Sequence, residues 1–363
     1  MVCQPAIWFM EGVSSQKDIL AAVQQIRAAG DHAFRIIASH RTDRPEILSE
    51  ADYAYLEPAK SDELLAFMKR VIEKHQVKAI HAGKRGMLLE KMRAPIEALG
   101  VRLSTGAHSL DTFELADNKA RFSEEMAARG FASVQSVQAS RPAEVSDAIV
   151  QLEAAQQLPC IKPVTGIYGM GFWILKRSAS QMQALNNPDA RIIHPDIFLT
   201  ALTGAETAGE TLPPQIVMPF LPGPEHSVDM LVEQGRVIAA VARSKNGSVQ
   251  SLENQGSAYQ LAVACAEALG ADGLINVQTR NDHHGEPVLL EANLRPSGGI
   301  GYTLHSGINL AGLFALRQLG LINDDDTAAH LANFSPLKVI STHGVKPLPV
   351  SGLSALDDVS TQK

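Results

Sequence analysis

Apolar residues in the first hundred positions fall into short runs, AIWFM, AFRIIAS, VKAIHAG and VRLS. Between these runs, in DILAAVQQIRAAG, SDELLAFMKRVIEKHQ and LLEKMRAPIEALG, they recur every three or four residues. A short apolar run suits a strand buried on both faces, and the 3.6-residue repeat suits a helix with one buried stripe. Their alternation predicts a parallel sheet with crossover helices. The turn after the first run, EGVSSQ, has one glycine and lacks the GxGxxG that brings backbone close to a pyrophosphate, so no dinucleotide site is expected there.

Two helical segments follow, SLDTFELAD and NKARFSEEMAARG, with Gly130 as a stop signal. From about residue 132 the pattern changes to strands joined by short turns, with PAEVSDAIVQLEAAQQ and YQLAVACAEALG as single helices. No tandem repeat or low-complexity tract is visible. The last stretch, SGLSALDDVSTQK, reads as a loose tail.

Composition narrows the class. At 363 residues the chain exceeds one ordinary core and suits two or three subdomains. A net charge of -7 without a Lys or Arg run gives no footprint for nucleic acid or an anionic membrane, which makes a small molecule the expected partner. Cys3, Cys160 and Cys265 have neither disulfide-framework nor zinc spacing. The start has no basic region or cleavage site, and no apolar run reaches bilayer length, so a cytoplasmic location is expected.

Three segments carry candidate chemistry. In VLLEANLRPSGGIG, strand alternation puts Glu291, Asn293 and Arg295 on one face and Val288, Leu290, Ala292 and Leu294 on the other. GLINVQTRN alternates likewise, with NDHHGE as a hairpin turn. A turn centred between His283 and His284 would bring Gln278 to the face of Glu291. Gln278, Glu291 and Asn293 are oxygen donors of the mixture Mg²⁺ takes beside a nucleotide. An isolated ExNxR is more often the solvated face of a hairpin.

In LPCIKPVTGIYGMGFWIL an apolar strand delivers Lys162, and a loop with Gly166, Gly169 and Gly171 leads into a second strand. Glycines let backbone N–H groups approach phosphate oxygens. No Walker or Rossmann loop has this order, and the competing reading is an ordinary hairpin with Lys162 at its edge. In QIVMPFLPGPEHSVDML a proline-rich turn leaves backbone groups outside a ladder and available to a planar base, with Glu225 able to accept from ribose hydroxyls. Taken alone, that segment is more often a surface turn.

The order DNKARF, IKPVTGIYGMGF, VMPFLPGPEHSVDML, INVQ, LLEANLRPSGG resembles the ATP-grasp superfamily, with the texture of the carbamoyl phosphate synthetase large subunit and related carboxylate-amine ligases. The resemblance covers roughly residues 110 to 312. It implies an α/β chain with a Rossmann-like pre-ATP-grasp domain over 1–108. An ATP-grasp fold of two α+β subdomains follows, 109–215 with the glycine-rich lid and 216–345 with the Mg-ATP site, and then a tail over 346–363. It implies phosphate contacts from Lys119 and Lys162, a lid from Thr165 through Gly166 and Gly169 to Gly171, and adenine reading by Met218, Phe220 and Leu221. It further implies ribose binding by Glu225, a further phosphate contact from Arg243, Mg²⁺ ligation by Gln278, Glu291 and Asn293, and catalysis by Arg295 with Lys162. Relatives often carry a glutamate in the hinge, where this chain has Met218 and Pro219.

The activity implied is ADP-forming ligation of a carboxylate to an amine through an acyl phosphate, with ATP and Mg²⁺. Ser297 and neighbouring glycine N–H groups would cradle an oxyanion, and His305 is a candidate base. One ATP-grasp unit is too few for a full carbamoyl phosphate synthetase, and no Met-Lys-Met biotin site is present. An ATP-binding regulatory protein, or carboxyl or phosphoryl transfer from the same nucleotide site, stays open. A homodimer is the assembly such relatives suggest.

Overall fold

The computed structural model describes residues 4–30, 32–165 and 170–342, and positions 345, 347, 353, 354 and 356. The four apolar runs form β1 (Ala6–Phe9), β2 (Arg35–His40), β4 (Val77–His81) and β5 (Arg102–Ser104), which join β3 (Tyr53–Leu56) in a parallel sheet of order β3-β2-β1-β4-β5. Both faces are covered, as the continuous apolar runs require. Ile7 and Phe9 of β1 pack with Ile19, Leu20, Val23 and Ile26 of helix α1 (Gln16–Ala29), while Ala6, Trp8 and Met10 pack with Leu64, Phe67, Met68 and Val71 of the helix Ser61–His75. The apolar-run reading passes over β3, whose YAYL owes its strand character to two tyrosines.

Residues 1–113, 225–278 and 292–363 form one compact unit, and residues 114–224 and 279–291 a second. The second unit holds β6 (Val137–Ala139), β7 (Pro159–Pro163), β8 (Trp173–Leu175), β9 (Ile192–Ile193) and β10 (Gln215–Pro219), in the order β6-β10-β7-β8-β9. Ile161, Leu175 and Val217 face Val145 and Ile149 of the helix Pro142–Ala154. Cys160, Ile216 and Met218 face Ala120, Val134, Val288 and Leu290.

A six-stranded sheet comprises β11 (Glu225–Glu233), β12 (Arg236–Asn246), β13 (Val249–Glu253), β14 (Gly273–Asn281), β15 (Pro287–Asn293) and β16 (Leu337–Ile340), in the order β15-β14-β11-β12-β13-β16. In the first unit, Leu231, Val241 and Leu252 of this sheet share a core with Ile7, Phe9 and Phe314. The β11–β12 turn places Gln234 and Gly235 at φ 49° and 80°, the left-handed pair a two-residue hairpin demands.

Arg243 of β12 is buried at the centre of this sheet. Its Nε donates to Asp229 Oδ2 at 2.7 Å, Nη1 to Gln250 Oε1 at 2.8 Å, and Nη2 to Ser227 Oγ at 2.9 Å and Ser297 Oγ at 2.8 Å. Asn276 of β14 donates to Asp229 Oδ1 at 3.0 Å from the other side. Desolvating both charges is tolerable only because nearly every donor and acceptor is matched.

The expected loose tail needs correction where it is described. The Ser354 N–H donates to the Ala54 carbonyl at 2.7 Å, Leu353 packs on the first unit's core, and Leu356 packs beside Trp8 and Leu64. Apolar residues at 353 and 356 anchor this stretch along the β3 edge.

Two stability outcomes follow from buried charge. Asp229→Ala leaves the Arg243 guanidinium desolvated and unpaired, and urea unfolding is expected to show a loss of about 3–5 kcal/mol. His81, wedged between Phe9 and Phe314, is pushed down from 6.5 to about 4 by burial, against the pull of Asp272. Between these values the unfolded chain binds the proton and the folded chain refuses it, so stability is full above pH 6.5 and falls as pH drops. Denaturant midpoints from pH 7 to 5 are expected to reveal about 2 kcal/mol from this group. His75, also pushed down to about 4, adds to the slope, and His81→Gln removes only part of it.

Candidate functional site

The candidate residues divide between the two units. In the second, Lys119 opens the helix Lys119–Ala128, capped by Asn118 Oδ1 accepting from the Arg121 N–H at 3.1 Å. Its Nζ stands 3.8 Å from Glu291 Oε2. A lysine from the DNKARF segment and the glutamate of LLEAN therefore meet across a long stretch of sequence. Lys162 lies in the middle of the sheet on β7, opposite Ile216 of β10, and is half-buried.

The expected glycine loop falls in sequence between β7 and β8. Thr165 is exposed, while Gly166 and Gly169 lie outside the described residues. Gly171 takes φ +74°, and a Cβ there would stand 2.8 Å from Pro163 Cδ, so glycine is required on both counts.

The hinge is built differently in detail. Met218 is held in the ladder opposite Cys160, and the Phe220 N–H donates to the Leu158 carbonyl at 2.7 Å. Arg280 Nε donates to the Leu221 carbonyl at 2.7 Å, and the Arg280 guanidinium lies 5.5 Å from the Phe220 ring centroid. These two backbone groups are therefore already committed. Sequence reasoning passed over Arg280, although its position two residues after Gln278 in INVQTRN was a usable signal. Cys160, pushed up to about 12 by burial, is an inert wall here.

The hairpin turn also departs from expectation. The Asp282 N–H donates to the Glu286 carbonyl at 2.9 Å and the Gly285 N–H to the Asp282 carbonyl at 3.2 Å, with Gly285 at φ +85°. This centres the turn on His284 and sets Asp282 opposite Glu286, an even residue facing an even one. The Asp282 carboxylate, accepting from the His284 and Glu286 N–H groups, fixes that longer form. Burial is also two-sided: Leu289 is fully buried while its neighbours Val288 and Leu290 pack on the Val134 cluster, so this half of β15 has no purely polar face.

In the first unit, Glu225 begins β11 opposite Lys245 of β12, and Lys245 Nζ donates to Glu225 Oε1 at 2.5 Å. Lys245 was missed, though the EQG turn fixes the pairing. Gln278 and Asn293 are half-buried on β14 and β15. Arg295 is half-buried, its Nη1 donating to the Pro296 carbonyl at 3.2 Å. Arg243, read as a further phosphate contact, has each of its three guanidinium nitrogens engaged with protein groups and acts as a strut.

The expected oxyanion cradle needs a similar correction. The Ser297 hydroxyl accepts from Arg243 and from the Gly299 N–H at 3.1 Å, so that N–H is spent inside the loop. His305 is exposed on the 3₁₀ segment Ile300–Ser306. Among the described residues, no three His, Cys, Asp or Glu side chains gather into a metal site.

Residues 211–343 match the family described as ATP-grasp in the biosynthetic pathway with Ter operon. None of the curated proteins matches the chain. Among solved structures the chain is similar to an L-amino acid ligase from Bacillus licheniformis, at 15% identity and TM-score 0.58 over 88% of this chain and 75% of that one. It is similar to an N5-carboxyaminoimidazole ribonucleotide synthetase in an ADP complex, at 16% identity and TM-score 0.57 over 86% and 76%. It is also similar to a biotin carboxylase from Campylobacter jejuni, at 15% identity and TM-score 0.58 over 88% and 72%. The chain is thus built on the ATP-grasp fold, with a Rossmann-like parallel sheet at its N-terminal end.

Proposed function

We propose that this protein is an ATP-dependent, ADP-forming ligase that joins a carboxylate to an amine through an acyl phosphate. The observation that carries the reading is the approach of Lys119 to Glu291 at 3.8 Å in the second unit, pairing the proposed phosphate lysine with the proposed metal acid. The fold shared with an L-amino acid ligase and with an ADP-bound synthetase supports it.

The residue types fit Mg²⁺ chemically: Glu291 and Asn293 alternate on one strand, and Gln278, a second amide, stands on the neighbouring strand β14. When bound, Mg²⁺ would neutralise charge on the nucleotide phosphates. The protein's own groups do the rest. Lys119 and Lys162 hold the phosphates, Glu225 takes the ribose, and the Met218–Leu221 backbone reads adenine with the groups its own hydrogen bonds leave over. Arg295 offsets charge on the transferred phosphoryl group. A substrate carboxylate oxygen forms the new bond to the γ-phosphorus as the β–γ bridge breaks and ADP departs. The amine nitrogen then attacks the acyl carbon, phosphate leaves, and the amine proton passes to solvent. Positioning and charge neutralisation suffice, with no protein nucleophile. Arg243 acts from behind, holding Ser297 and the loop after Arg295.

The test is release of ADP and phosphate with Mg-ATP across a panel of L-amino acids and other carboxylates crossed with amines, bicarbonate included. ADP is expected only when both partners are present. Glu291→Ala and Lys162→Ala are each expected to lower its rate about 100- to 1000-fold while circular dichroism stays unchanged. ADP formation with bicarbonate and no amine would replace ligation with carboxyl transfer. Tight Mg-ATP binding without turnover anywhere in the panel would replace it with a regulatory role.

A further inference from the structure

The polar network at the centre of the six-stranded sheet leaves one acceptor unmatched. Asn276, fully buried on β14, spends its two amide N–H donors on three oxygens of β11: Ser227 Oγ at 3.0 Å, the Val228 carbonyl at 3.1 Å and Asp229 Oδ1 at 3.0 Å. Its own Oδ1 is buried and accepts from no described residue. Turning the amide round would set that oxygen against three others, so the network fixes which way it faces. Buried acceptors are ordinarily matched, and one left over calls for a donor from outside the chain.

The strand order says from which side that donor comes. β14 lies between β11 and β15, and the amide N–H groups face β11, so Oδ1 faces β15. Gln278 is two residues further along β14 and shares the face of Asn276. Leu274, two residues before Asn276, packs in the core with Phe9, and Arg295, two residues beyond Asn293, stands beside Phe9 and Met10. Asn276 and Asn293 therefore lie on one side of the sheet, on adjacent strands, and all these residues belong to the first unit.

The chemistry of the proposed metal is the complement of this oxygen. Mg²⁺ dehydrates reluctantly and keeps several waters, and each water, polarised by the ion, is a donor that needs an acceptor. Such a water lies about 2.1 Å from the ion and about 2.7 Å from the oxygen it donates to, so it bridges about 4.8 Å, the spacing of neighbouring strands. A neutral, rigidly held carboxamide oxygen takes that hydrogen bond without adding charge. Holding the water also orients the ion's other ligands.

We propose that Asn276 is a positioning residue for the metal, its Oδ1 accepting from a water on Mg²⁺ beside Gln278 and Asn293, with the Arg243–Asp229 network holding the amide in place. The proposal rests on the Mg²⁺ reading of the proposed function and adds to it a residue that does not touch the ion.

The test is isothermal titration of ADP into the full chain with Mn²⁺ and, separately, with EDTA, the ratio of the two affinities being the readout. In the wild type Mn²⁺ is expected to tighten ADP at least 30-fold. In Asn276→Ala that gain is expected to fall at least 10-fold while the affinity in EDTA stays within threefold. Asn276→Ser, whose hydroxyl can still donate to Asp229 but is too short to reach toward β15, is expected to lose the same gain, and decides the matter if the alanine variant does not fold. Ser227→Ala disturbs the same network and leaves Oδ1 in place, so its gain is expected to stay within threefold of wild type. A gain kept in a folded Asn276 variant would overturn the inference and make the oxygen's partner an ordinary buried water. A gain lost equally in Ser227→Ala would overturn it too, leaving Asn276 a strut. No gain from Mn²⁺ in the wild type would instead overturn the Mg²⁺ reading, and this inference with it.

Discussion

The buried pair of Arg243 and Asp229 is the constraint on which the six-stranded sheet and the loop after Arg295 depend. Neither charge tolerates the interior alone, so each recruits groups until its hydrogen-bonding capacity is met. Ser227, Gln250, Asn276 and Ser297 are those groups, and they come from β11, β13, β14 and the loop after Arg295. Strand alignment and loop position become one problem with one solution. Gly299 shows how tight the solution is, because a Cβ there would lie 2.5 Å from Arg243 Nη1. The polarity of this centre serves placement more than adhesion.

A second charged assembly, at the carboxyl edge of the parallel sheet, works on the opposite principle. Trp8 Nε1 donates to Ser39 Oγ, and Ser39 donates on to Glu57, each at 2.8 Å, which ties β1 and β2 to the residue after β3. There Glu11 and Glu57 are buried and their cations stand nearer solvent, with Arg41, bonded to Glu11, half exposed. One assembly turns its charges inward and is rigid. The other offers positive charge outward.

Much of the fold was legible because local rules and the global arrangement agree. Alternating strand and helix periods announced the parallel sheet, and EQG announced a hairpin whose register puts Glu225 against Lys245. What stayed hidden depends on partners distant in sequence. Periodicity assigns Arg243 to a strand face but cannot say that Asp229, Gln250 and Ser297 will exhaust it. Composition shows Glu11 and Lys84 as ordinary surface residues, since only strand order brings them to one corner. The NDHHGE turn failed at finer grain. Asp282 side-chain bonds select a longer loop than simple symmetry suggests.

The backbone bond from Ser354 to Ala54, with Ser354 Oγ also accepting from the Ala54 N–H at 3.2 Å, bears on behaviour at high concentration. β3 is the outermost strand on its side of the parallel sheet, and an outermost strand offers unpaired backbone groups to any passing extended chain. Ser354 satisfies both backbone groups of Ala54 on that edge internally. A chain cut before Leu353 would leave the Ala54 position of that edge uncovered, a template for self-association.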